Sequence, residues 1–587
     1  MEPIKVDFGG SDNSSGKKTA FSTPEKSTLK IILSIVVAIV AGAVAYYFML
    51  PALNFKSTDL YMFLGIILAA FVVSLAVLSG AMQSPEYLPY VKKKAIVPVA
   101  IGVLLAAVVG IGMLVSSVFF RADSYSKIIT IDESKSFATD IEEANFQSVP
   151  VLDVDASTAL ATRALGDLAS INMVSQFEVS SDSTQINYKN SPIRVTTLAY
   201  GDIFKWLKNT KNGLPGYILV DMVTQKSELV MLEEGNYIKY STQEHFGKYL
   251  MRHVRFEYPT YIFDAPHFEI DESGRPYWLC PVLDKTIGLF GGTDVIGVVI
   301  VDAITGEFKE YTIDEIKENK DIQWIDVIYS TDLLVEQYNY YGQYSGGFIN
   351  SIIGQEGVKI ATEGSNFLAM NDDVYMYTGV TSAGGDQAII GFVLVNMRTK
   401  DANFYTVSGA KEYSARDSAQ GAVQDYKYTA TFPILLNISG EPTYFMSLKD
   451  SSNLVKRFAM VNVQNYQVVV TGETIAQCTE AYVKSLKQNN INIKVDIDEI
   501  ENATQNTENE NETPKTETKT VKGKIADIRT AVMGGESVYF IRLEKGSAYY
   551  TISASNAQNV VILNIGDSIK IEFEESDEKI IEAISIK

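Results

Sequence analysis

Residues 31–50 read IILSIVVAIVAGAVAYYFML, with no Asp, Glu, Lys, Arg or His among them. A helix needs ~20 such residues to cross a ~30 Å hydrocarbon core. Two further runs of the same kind follow, Leu60–Met82 and Ala95–Phe120. A cleaved signal peptide would have a shorter apolar core and a small-residue cleavage site. Here the first run ends in Tyr46, Tyr47, Phe48, Met49 and Leu50, with Pro51 next, so it reads as a retained span.

The cations around these runs set the expected orientation. Lys17, Lys18, Lys26 and Lys30 precede the first span, and Lys92, Lys93 and Lys94 lie between the second and third. The loop from Ala52 to Asp59 carries only Lys56, balanced by Asp59. Positive charge stays on the cytoplasmic side, which places the N-terminus inside and everything after Phe120 outside. Intramembrane charges mark ion and proton pathways; the three runs hold none and read as an anchor. Gly102, Ala106 and Gly110 form a small-residue ridge on the third run, suited to close helix approach. It is expected to pack among the three spans or to serve a homo-oligomer.

After the anchor, one pattern recurs four times: an apolar strand, an Asp or Asn, a polar turn and a second strand. The copies start at Tyr217-Ile-Leu-Val-Asp-Met-Val-Thr, Gly297-Val-Val-Ile-Val-Asp-Ala-Ile-Thr-Gly-Glu, Gly391-Phe-Val-Leu-Val-Asn-Met-Arg-Thr and Phe458-Ala-Met-Val-Asn-Val-Gln-Asn. Val and Ile supply strand propensity, and the acid or amide at Asp221, Asp302, Asn396 and Asn462 supplies turn chemistry. Three copies have an earlier hairpin, with turns at Ser273-Gly274, around Asp372-Asp373 and at Ser439-Gly440. Helical spacing predicts helices over Ala156–Leu168, Gln243–Phe256, Ile322–Tyr340, Ala410–Asp425 and Ile475–Gln488.

The expected fold class is thus a three-helix membrane anchor, an α+β ectodomain of repeated antiparallel hairpin and helix units, and a C-terminal all-β OB-like small barrel. The boundaries read as a disordered tail over 1–28, three spans within 29–120 and an entry segment over 121–190. Four repeats follow over 191–496, then a disordered acidic linker over 497–519 and the barrel over 520–587. The linker is mostly Glu, Asn, Thr, Gln and Lys and cannot build a core. In the barrel, Tyr539, Phe540, Tyr549 and Tyr550 are candidates for an aromatic binding face.

The turn at Asp302, Thr305, Gly306 and Glu307 resembles that of PepSY-type extracytoplasmic modules. From about residue 31 to 490 the chain is similar to a family of uncharacterised multi-pass membrane proteins of Gram-positive, clostridia-like bacteria. The resemblance implies a module that modulates peptidases or serves a sensory envelope protein, and it carries over no catalytic residue.

The net charge of −21 argues against nucleic acid, whose binding rests on Lys and Arg. Cys280 and Cys478 have no metal-type spacing and read as buried thiols or one disulfide. The three histidines, His245, His253 and His267, show no H-E-x-x-H arrangement, and no phosphate-binding loop or nucleophile elbow is present. Asp271-Glu272 and Asp372-Asp373 could hold calcium weakly but suit turns better. Tyr338, Tyr340, Tyr341 and Tyr344 form an aromatic cluster for core packing or partner contact.

No catalytic, cofactor or metal residue is therefore assigned. The expected partners are the lipid bilayer and an envelope protein, and the expected function is non-enzymatic binding, regulation or scaffolding at the bacterial cell envelope. The alternatives are an envelope hydrolase, which would need two carboxylates converging in one cleft with separated pKa values, and an envelope sensor.

Overall fold

The computed structural model describes residues 22–587 except 147, 169–170, 371, 385–387, 490, 492–517, 534–535, 547, 554–559, 562, 575–578 and 587. Most of the expected tail and linker lies outside the described residues. The chain divides into two compact units, Met1–Lys494 and Val495–Lys587.

The larger unit begins with the anchor: α1 (Ser27–Met49), α2 (Thr58–Ser79) and α3 (Leu88–Val115). All three are long and apolar enough to cross a membrane. Their outward surfaces are exposed Ile, Val and Leu, which lipid solvates. The small-residue ridge is not what joins them. Gly102 does lie near Leu68, but Ala106 and Gly110 are exposed, and a Cβ at Gly110 would meet nothing within 4 Å. Between α1 and α2, Gly42 faces Ile67, and a Cβ there would stand 3.0 Å from that side chain.

Four copies of one unit follow, each a lead-in segment, a helix and an antiparallel four-stranded meander. The helices are Val154–Leu168, Leu250–Glu257, Thr331–Tyr344 and Glu412–Ala422. The four meanders run over 177–231, 267–312, 366–410 and 434–472, and short extra strands extend the last three sheets. Unit 1 starts upstream of residue 191: its first hairpin pairs Phe177–Tyr188 with Ser191–Tyr200 across the turn Lys189-Asn190. Both turn residues have positive φ, 54° and 61°, the backbone that hairpin twist favours and that Asn tolerates.

The recurring Asp or Asn is a turn cap. Asp221, Asp302 and Asn396 each accept two backbone N–H groups through Oδ1, from Val223 and Thr224, Ile304 and Thr305, and Arg398 and Thr399. Asn462 accepts one, from Asn465. The next residue then ties the unit together. Its carbonyl receives the lead-in segment's N–H: Met222 from Val151, Ala303 from Lys239 and Tyr240, Met397 from Ile328 and Tyr329, Val463 from Ala410.

The strands Val298-Val-Ile-Val and Phe392-Val-Leu-Val lack polar alternation because both of their faces are covered. Val299, Val301, Phe392 and Leu394 face one core; Val298, Ile300, Val393 and Val395 face a second.

Two predicted helices move for reasons visible in hydrogen bonds. Over 322–330 the chain stays largely non-helical, because Asp326, Val327, Ile328 and Tyr329 give their N–H groups to tertiary acceptors. Over 243–249, the buried Glu244 carboxylate accepts from Tyr200, Trp206 and Thr210, so the helix begins only at Leu250. The helix Ile475–Gln488 forms where the spacing puts it. Cys280 and Cys478 are buried free thiols.

Unit 2 is docked onto the anchor. Arg252 donates to the carbonyl of Tyr47 (3.1 Å) and Arg255 to that of Leu50 (3.0 Å), at the C-terminal end of α1. These carbonyls lack helical partners and carry the negative end of the helix dipole. Arg252 also lies over the Tyr47 ring at 4.0 Å. Lys56 pairs with Asp284 at 2.8 Å, and Ser116 Oγ accepts from the N–H groups of Leu289 and Phe290. Gly112 makes room for that loop: a Cβ there would stand 2.6 Å from the Phe290 ring.

The smaller unit has five strands, Thr518–Met533, Glu536–Leu543, Tyr549–Ser553, Ser568–Glu574 and Ile580–Ile586. Their pairings form a ring, with Tyr549–Ser553 and Ile580–Ile586 parallel and the other neighbours antiparallel. Ile525, Ile541, Ile552, Ile571 and Ile581 fill its core.

Two predictions follow from these contacts. Asn396→Ala removes two turn bonds and the bond from Nδ2 to Asp373 at a buried position, and should cost about 2–3 kcal/mol; Asp221→Ala, at a half-buried turn, should cost about 1 kcal/mol. Equal losses in chemical denaturation would show that the buried bond from Asn396 to Asp373 adds nothing to the cap. Gly112→Leu should overpack the docking loop by about 1–3 kcal/mol and lower the melting temperature in detergent, while Gly110→Leu leaves it unchanged.

Candidate functional site

The first-hairpin turns of three consecutive units meet around one polar cleft of about 600 Å³. Unit 1 contributes Lys189 and Asn190, unit 2 contributes Asp271, Glu272 and Ser273, and unit 3 contributes Asp372. The link from unit 2 to unit 3 completes the wall with Lys320, Asp321, Gln323 and Trp324. The turns are held toward one another: Tyr217 of unit 1 donates to the carbonyl of Gly274 (2.7 Å), and Asn187 Nδ2 donates to Asp372 Oδ1 (3.1 Å). Trp324 packs on Tyr277, ring centroids 5.0 Å apart.

Two carboxyls nearby, Glu269 and Asp326, tie units 1 and 2 to the link. Glu269 accepts the N–H groups of Asp326 (3.0 Å) and Val327 (2.9 Å), and Asp326 accepts that of Asn187 (2.7 Å). One acid thus joins unit 2 to the link, and the other joins the link to unit 1. Both are almost wholly buried, Glu269 at 0% and Asp326 at 2% exposure. Desolvation pushes the Glu269 carboxyl up to about 8 despite its two backbone bonds. Asp326 is raised well above the carboxylate range by burial first and then by Glu269.

These are the converging acids that a hydrolase would need, but they are sealed from solvent and engaged with backbone. In the cleft, Asp271 Oδ1 is taken by the N–H groups of Ser273 and Arg275. The Ser273 hydroxyl donates to that same oxygen at 2.6 Å, so Asp271 serves the turn. The wall offers charge of both signs and an indole plane, which suits holding a polar ligand.

The residues singled out from sequence scatter. Asp271, Glu272 and Asp372 come together in the cleft, whereas Asp373 is withdrawn into a pair with Arg398 at 2.6 Å. His253 is sandwiched between Tyr240 and Phe308 and bonded to the Gly306 carbonyl. His245 lies against Trp206, outside any α-helix, and His267 is half-buried, with desolvation lowering its pKa. Among the described residues no group of three or more His, Cys, Asp or Glu is placed to hold a metal ion. Tyr338 is core, while Tyr341 donates to Glu133. In the small unit Tyr550 is core, packed on Phe573; Tyr549 donates to Asp527 beside Arg529 and Arg542.

Lys189, Lys320, Gln323 and Trp324 were not flagged from sequence. The signal for the first was a Tyr-Lys-Asn-Ser turn between alternating strands; the link residues carried none. No family model and no curated protein matches the chain.

The buried acids predict a pH dependence. Both hold protons more tightly folded than unfolded, so the folded state binds more protons as pH rises above the ordinary carboxylate range. Stability should therefore fall as pH rises from about pH 5 toward about pH 8. Asp326→Asn keeps the acceptor for Asn187 and removes the charge beside Glu269, so it should flatten that slope in thermal unfolding. An unchanged slope would show that the pair does not hold the proton.

Proposed function

We propose that this chain is a membrane-anchored, extracytoplasmic binding and regulatory protein of the bacterial cell envelope. The cleft between the turns of units 1–3 is its recognition site. The observation that carries this reading is the convergence of three repeats, through their equivalent turns, on one solvent-open polar wall. The sealed position of Glu269 and Asp326 favours binding over acid–base hydrolysis, because a substrate must reach such groups.

The lysine clusters before α1 and between α2 and α3 support an N-terminus in the cytoplasm and an exterior ectodomain. The PepSY resemblance fits units of one helix and one antiparallel sheet, and it implies a protein partner. The ring of strands in the small unit, with one parallel pair, supports an OB-type reading. Its outward Arg529, Arg542 and Tyr549 offer a second contact for an acidic or aromatic group.

The test is site-specific photo-crosslinking in cells with the full-length protein. A photoreactive residue at Gln323 should trap one envelope protein reproducibly, and Lys320→Glu in the same chain should reduce that adduct at least several-fold. The same probe at Ser452, in a turn of unit 4 that does not line the cleft, serves as background. No adduct from position 323 above that background would remove the cleft as the recognition site.

A further inference from the structure

The ectodomain carries exposed apolar side chains at the two places where it meets the anchor. At the exit of α3, Phe348 packs on Phe119 with ring centroids 5.1 Å apart, and Phe119 contacts Phe120. Directly after Phe348 come Ile349, Ile352 and Ile353, exposed at 66%, 59% and 79%. They sit on an irregular turn of helix, Asn350–Gly354. From Gln337 to Gln355 the chain has no charged residue, unusual in a protein of net charge −21. An aromatic row leads into it, with Tyr125 on Tyr340, Tyr340 on Tyr344 and Tyr344 on Phe348.

At the exit of α1, Phe256 packs on Tyr46 at 5.7 Å. The carbonyl of Phe246 accepts from Arg252, the same side chain that bonds Tyr47. Phe246 is itself exposed, and it leans on Trp206 of the short helix Ile203–Asn209, whose Phe204 and Leu207 are exposed too. Lys205, Lys208 and Lys211 accompany them.

Depth follows from the spans. Leu50 and Ser116 directly follow α1 and α3, helices long enough to fill a ~30 Å hydrocarbon core, so groups bonded to Tyr47, Leu50 and Ser116 stand at its boundary. That is the level at which aromatic rings and amphipathic segments settle.

We infer that segment 348–353 and helix 203–209 insert into the lipid leaflet from which α1 and α3 emerge, so that the ectodomain lies on the bilayer. The occupant of both apolar patches is phospholipid, continuous with the lipid around the anchor. The charge-free stretch from Gln337 to Gln355 and the lysines beside Phe204 fit this arrangement.

The test uses the full chain in vesicles of neutral phospholipid. Ile353→Cys and Phe204→Cys, each labelled with an environment-sensitive fluorophore, are compared with Ser452→Cys. Cys280 and Cys478 are buried, with thiol pKa values pushed up to about 12, so labelling stays selective. The probes at 353 and 204 should emit at shorter wavelength than the probe at 452, be quenched at least two-fold by spin-labelled acyl chains, and resist aqueous iodide. Emission like that at 452, with free iodide quenching, would overturn the inference. So would a shifted emission that lipid spin labels leave unquenched, which would mean that a second copy of the chain covers the patches.

Discussion

The Glu269 and Asp326 carboxyls are the constraint on which the repeat region depends. Taking a carboxylate out of water costs several kcal/mol unless its oxygens are met. Here two of the three N–H groups they accept come from the link between units 2 and 3, and the third comes from unit 1. An apolar pair could fill the same volume, but it could not hold the link extended or fix the Lys189-Asn190 turn against Asp372. The geometry of the cleft wall is therefore a consequence of buried polar bonds rather than of sheet packing alone. Raised proton affinity accompanies that burial and does not point to a reacting group.

A second constraint fixes the repeat region to the anchor. Arg252 and Arg255 place two guanidinium groups on carbonyls at the end of α1, where a helix has acceptors to spare. Arg255 also reaches the carbonyls of Tyr258 and Tyr261, a fork that a lysine ammonium cannot reproduce. With Ser116 holding the Leu289-Phe290 loop, the anchor meets unit 2 at two separate spans. A protein docked this way presents its cleft and its apolar segments at fixed positions relative to the bilayer, which suits the proposed role of recognition at the membrane.

Much of this was legible in the sequence. The spans show as charge-free runs, and the repeat shows as an Asp or Asn after four apolar residues. Its side chain caps the following turn, so the same chemistry recurs even where neighbouring residues change. The helix Ile475–Gln488 was legible because one amphipathic face covers one sheet. Other features depend on partners distant in sequence. Residues 322–330 have helical spacing, yet their N–H groups are claimed by Glu269 and Met397. The ridge at Gly102, Ala106 and Gly110 obeys a general rule of helix packing, but the contact that needs a glycine is at Gly112, against a loop far away in the chain. The cleft was hidden for the same reason: Lys189, Asp271, Trp324 and Asp372 are neighbours only once three units have folded together.

The most direct measurement is hydrogen exchange of the full-length protein in detergent, followed at peptides covering 183–190 and 322–330. If the buried carboxyls lock units 1 and 2 to the link, the amides of Asn187, Asp326 and Val327 exchange together, and only at the rate of global unfolding. Fast exchange at Asn187, with Asp326 and Val327 still protected, would show that unit 1 moves independently. The cleft would then not be a fixed site.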